Sequence, residues 1–123
     1  MTKKPWAIGL SAAALVLLVG CSSMKTPATA NVAVSKAAVD NAIGAGGAEF
    51  APLEMESART KMAAANKAMA DKDYKLAASL ANEAQADAKL AQGKANSAKA
   101  QAAADALQDN LRVLREELNR ASQ

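Results

Sequence analysis

The chain has 123 residues, 51% of them hydrophobic, and a formal net charge of +3. Alanine supplies 34 residues and the aromatic complement is Trp6, Phe50 and Tyr74 alone, which excludes a thick globular core, because burying an alanine methyl is worth only about 0.8 kcal/mol. Without Lys3 and Lys4, which fall in a leader, 13 basic residues face 12 acidic ones, and so even a mixture excludes nucleic-acid binding, which depends on clustered cationic charge.

Residues 1–20 have the proportions of a signal peptide. "MTKK" is a short basic start, and "PWAIGLSAAALVLLV" is an apolar stretch of 15 residues, shorter than the roughly 20 that a membrane-spanning helix requires. Leu18-Val19-Gly20-Cys21 follows and resembles the lipobox of bacterial lipoproteins. That resemblance implies that the Cys21 sulfur receives a diacylglycerol, that the leader is cut before it, and that the new amino terminus is acylated. Cys21 is the single cysteine, so it has no partner for an internal disulfide. Three acyl chains would anchor it firmly, where a single chain holds only marginally. The weaker reading is an ordinary secreted protein, or an uncut signal anchor. Ser22 follows the cysteine where lipoproteins kept in the inner membrane carry aspartate. The resemblance therefore implies the outer membrane, with the body facing the periplasm.

"SSMKTPATAN", residues 22–31, is small, polar and aperiodic, so residues 21–30 read as the lipidated cysteine and a flexible tether. Residues 31–123 read as an alanine-rich helical domain. Asn31 is a candidate N-cap for a first helix to about Ala45, with a stripe of Val32, Ser35, Val39 and Ile43. "GAGG", residues 44–47, ends it. Pro52 suits the first turn of a second helix, where Glu54 and Glu56 complement the helix dipole. Met55, Ala58, Met62, Ala65 and Met69 then step three, four, three, four. The methionines read as gap-filling core in preference to a copper site, because neither histidine nor a second thiolate accompanies them.

"ADKDYK", residues 70–75, makes a turn in which Asp71 or Asp73 caps the next helix. Ala77, Ala81, Ala84, Ala88, Ala91, Ala95, Ala98 and Ala102 form an unbroken heptad ladder that permits close helix approach. Leu76, Leu80 and Leu90 flank it and are expected to supply most of the hydrophobic gain. Ala103, Leu107, Leu111, Leu114 and Leu118 form a second stripe. We expect one helix from about Asp73 to Arg120, with a break near Gly93 as the alternative. The fold expected is all-α: an elongated antiparallel hairpin, or a three-helix coiled-coil-like bundle, with a long C-terminal helix. The second helix is too short to cover Leu107–Leu118. An uncovered apolar stripe implies a mate, either a folded-back fourth helix or another chain meeting Leu107, Leu111, Leu114 and Leu118.

Residues 51–91 resemble a family of small proteobacterial lipoproteins known as domain of unknown function 4398. The resemblance rests on Ala51-Pro52 with Glu54 before Ala58, on the Asp73-Tyr74 turn, and on Ala77, Ala81, Ala84, Ala88 and Ala91. It implies an envelope partner, since members often sit beside peptidoglycan-binding proteins of the outer-membrane-protein-A type, and it brings no activity and no catalytic residues. The hairpin also resembles a tetratricopeptide unit, but one unit is not a stack. The major murein lipoproteins are similar in being lipobox-tethered alanine-rich helices joined to peptidoglycan through a C-terminal lysine. This chain ends "NRASQ", so association with the wall is expected to be non-covalent.

No catalytic residue, metal site or cofactor is expected. There is no histidine, "GAGG" lacks the strand and lysine of a phosphate loop, and the pairs Glu54/Glu56 and Glu116/Glu117 read as solvated helix faces, with Glu116 and Arg120 at i, i+4. The function expected is a non-enzymatic periplasmic scaffold or adaptor that binds a protein partner or itself through the C-terminal helix. The alternative is a compact helical bundle that binds a small ligand or wall fragment.

Overall fold

Local capping sets the boundaries of the helices, and the alanine pattern sets how they pack. The computed structural model describes residues 24–123, which form four helices and no strand: α1 (Lys25–Gly44), the short α2 (Gly47–Phe50), α3 (Pro52–Ala70) and α4 (Tyr74–Ala121). Pro52 opens α3, where its missing N–H costs nothing. Asp73 caps α4, its Oδ1 accepting from the Leu76 N–H at 3.0 Å. The α3–α4 turn is a Schellman motif: the Asp73 N–H donates to the Ala68 carbonyl and the Lys72 N–H to the Met69 carbonyl, with Lys72 left-handed at φ 63.

α4 is the spine. α1 lies along it in parallel and α3 in antiparallel, and α1 and α3 meet each other less extensively. The buried Ser35 hydroxyl donates to the Ala81 carbonyl. Further along, Val39 and Ala42 join Ala51, Met55, Ala58, Ala88 and Ala91 in one core cluster. Ala77, Ala81, Ala84, Ala88, Ala91 and Ala95 have no accessible surface. Side chains this small bring the helix axes toward the lower end of the usual spacing, about 8 Å. Gly47 has no room for a side chain, since a Cβ there would lie 2.8 Å from the Ala42 carbonyl oxygen and 2.9 Å from the Met55 sulfur.

α4 is continuous through Gly93, so neither the break nor the folded-back fourth helix forms. At 1.5 Å per residue its 48 residues span about 72 Å, against about 30 Å for α1 and about 28 Å for α3.

Several expectations need correcting. α1 begins at Lys25, so residues 25–30 are helix and not tether. Pro27 sits in the first turn, where proline is tolerated, and the fully buried Ala28 fastens that turn to the bundle. Asn31 therefore lies inside the helix and caps nothing. The buried positions of α1 are Ala28, Ser35, Val39 and Ala42, while Ile43 is exposed. Along α3 it is Ala68 that is buried and Met69 only half-buried. In both helices the last step of the buried face is three residues, Val39 to Ala42 and Ala65 to Ala68, where the sequence reading advanced by four. Leu76 and Leu90 are about half exposed, so the core is built from alanine, methionine and Val39, not from the flanking leucines.

Candidate functional site

Leu18, Val19, Gly20 and Cys21 lie outside the described residues. The remaining candidates fall into two zones, a charged seam between α3 and α4 and the free end of α4.

In the seam, the Asp87 carboxylate accepts from the Ser57 hydroxyl at 2.7 Å and from the Lys61 ammonium at 2.8 Å. Lys61 also stands 3.5 Å from Glu83. These donors, Lys61 first and Ser57 second, hold the Asp87 carboxyl below its ordinary pKa, and Asp87 in turn raises that of Lys61. Glu54 pairs with Lys94, whose hydrogen bond lowers the Glu54 pKa. The cluster is a set of ion pairs fastening α3 to α4. Glu116 pairs with Arg112 at 3.5 Å and not with Arg120, and the Arg112 fork also reaches Asp109 at 3.5 Å.

Among the described residues no group of three or more acidic, histidine or cysteine side chains is placed to hold a metal, and no helix is long and apolar enough to cross a membrane. Met55 and Met62 are buried, and Met55 belongs to the core cluster. One hollow of about 310 Å³ opens at the surface between Ala48, Pro52, Met55, Glu56, Arg59 and Thr60.

The free end of α4 is different in kind. Burial along the alanine ladder stops at Ala95; Ala98 is half-buried, and every residue from Lys99 to Gln123 is exposed. The loop end of the body sits at this level, with Lys99 Nζ 6.0 Å from the centre of the Phe50 ring. Beyond it, 23 residues of helix, 99–121, project as an arm about 35 Å long. Leu107, Leu111, Leu114 and Leu118 lie along it, exposed by 60%, 43%, 55% and 69%. At 100° per residue their mean direction is about 130° around α4 from that of the buried ladder. The leucines thus face away from α1 and α3, and among the described residues nothing covers them. Sequence reading found this stripe from its spacing but began it at Ala103. In the helix the residues in register are Ala100 and Ala104.

A family model described as "Domain of unknown function (DUF4398)" matches residues 30–107. No curated protein matches the chain, and no solved structure does.

Proposed function

This chain belongs to the DUF4398 family, and we propose that it is a lipid-tethered scaffold of the cell envelope, anchored through Cys21 and making contacts through the arm of α4. The observation that supports this reading most is the mismatch of helix lengths. A bundle of α1, α3 and the first half of α4 satisfies itself, yet the chain continues for 23 helical residues carrying four exposed leucines. Exposed apolar stripes on a helix outside a bundle are surfaces for another chain.

The lipobox-like Leu18-Val19-Gly20-Cys21 supplies the anchor, and Ser22 after it the address: the outer membrane, periplasmic face. α1 starts at Lys25, four residues after Cys21, so the body stands close to the bilayer. Because α1 runs parallel to α4, the anchored end is the Tyr74 end of the spine, and the arm points away from the membrane toward the wall. A protein partner, non-covalent contact with peptidoglycan, or self-association would all be met by the arm. Neither catalysis nor a cofactor enters this role.

The test is lipid analysis of the mature protein. Acyl chains on Cys21 and retention in the outer-membrane fraction are expected, with Cys21→Ser leaving an uncut precursor free of lipid. A bare amino terminus on the mature chain would overturn the proposal.

A further inference from the structure

We infer that the arm of α4 is one strand of a parallel, in-register coiled coil whose other strand is a second copy of this chain; the inference rests on the tether reading for its orientation. Ala100, Ala104, Leu107, Leu111, Leu114, Leu118 and Ala121 step four, three, four, three, four, three without interruption, and all seven are exposed. They are the a and d positions of three and a half heptads, with a at 104, 111 and 118 and d at 100, 107, 114 and 121. Ser97 and Gly93 continue the register back along the body, where nothing lies within 4 Å of a Gly93 Cβ. This seam is separate from the buried ladder: one helix carries two heptad faces, one satisfied by the chain's own hairpin and the other open.

The remaining arm residues sort as such a seam requires. The ion-paired residues Asp109, Arg112 and Glu116 occupy b and f, on the outer face. The e positions are Gln101, Gln108 and Arg115, and the g positions are Ala103, Asn110 and Glu117. Charged e and g residues are what select an unlike strand in a coiled coil, and here they are mostly neutral. In a parallel pair Arg115 meets Asn110 and Glu117 meets Ser122 of the other copy, so no like charges face each other. Nothing in the seam repels its own copy.

Orientation follows from where the chain leaves the described residues. Met24 lies at the Tyr74 end of α4, and only Ser22 and Ser23 separate it from Cys21, a reach of at most about 11 Å. Two copies anchored in one leaflet present their arms in the same direction and at the same height. That favours pairing through effective concentration. An antiparallel pair would put the two anchors roughly 100 Å apart, so both could reach one leaflet only with the rod lying flat along the membrane and the arms no longer pointing toward the wall.

The test uses the full chain, exported with its own leader, carrying single cysteines at Leu111, Leu118 or Asp109, and oxidised in isolated membranes. Leu111→Cys and Leu118→Cys should each give a disulfide-linked dimer, with loss of that product for the outer-face Asp109→Cys. The unsubstituted chain, solubilised in detergent, should sediment with the protein mass of two copies. A dimer at Leu111 but not at Leu118 would mean antiparallel arms, and equal linkage at Asp109 would mean chance collision; either overturns the inference. So does a monomer, or linkage only to a different protein. Lipid on Cys21 is measured in the same membranes. Sedimentation of the unsubstituted chain under reducing conditions as two copies without lipid would refute the tether while leaving the pairing, and lipid without dimers would do the reverse.

Discussion

Lys72 is the one non-glycine residue with positive φ among the described residues. A side chain in the left-handed region costs about 1–2 kcal/mol, and the Schellman turn that ends α3 requires that conformation. Replacing Lys72 by glycine should therefore stabilise the bundle, by about 0.5–1 kcal/mol in thermal or denaturant unfolding. Its neighbour Asp73 serves both helices, closing α3 with its N–H and capping α4 with its carboxylate. Asp73→Ala should cost about 1 kcal/mol by the same measurement. Gly47 is under the opposite constraint: with the Ala42 carbonyl and the Met55 sulfur inside 3 Å of a Cβ, Gly47→Ala should destabilise by about 1–3 kcal/mol. The sequence offered Asp71 and Asp73 equally as caps. Only the backbone geometry decides between them, because the hydrogen bond to the Leu76 N–H depends on a non-helical conformation at Asp73.

Among the elements, the pairing of α3 with α4 depends on pH with a definite sign. Asp87 and Glu54 titrate below their ordinary values, so their contribution is present above the unfolded carboxylate range, about pH 4, and is lost as pH falls through the lower folded values. Lys61 titrates above its ordinary value, so its contribution is present below about pH 10.4 and is lost as pH rises through the higher folded one. Melting temperatures followed by circular dichroism should form a plateau from about pH 5 to 10 and fall on both sides. Asp87→Asn should lower the plateau and flatten its acid limb. The helices themselves were largely legible in the sequence. The alanine ladder announces α4, Pro52 opens α3, and the continuous α4 follows from an interior whose single Gly93 meets no neighbour. Less legible were the phases of α1 and α3. After Val39 the spacing admits Ile43 at a step of four as readily as Ala42 at a step of three, and after Ala65 it admits Met69 as readily as Ala68; burial goes to the two alanines. The start of α1 was hidden because "KTPA" reads as linker until the bundle that buries Ala28 is known.

At the scale of the molecule, the chain is a short three-helix body on a spine of more than twice its length. Body and arm divide the labour: the body is held by small residues in close contact, and the arm spends its larger apolar side chains on solvent. That division was half visible in sequence. The spacing of Leu107, Leu111, Leu114 and Leu118 was plain, but their direction, away from the hairpin, depends on where the register shifts along α4. If the arm is a surface for another chain, the body should not depend on it. The most direct measurement is light scattering on a soluble form starting at Ser22, with and without Leu111→Asp and Leu114→Asp, alongside a melting curve of each. The account predicts that the unsubstituted chain associates and that the double substitution leaves a folded monomer with the melting of its body unchanged. A monomeric unsubstituted chain, or a double substitution that unfolds the body, would contradict it.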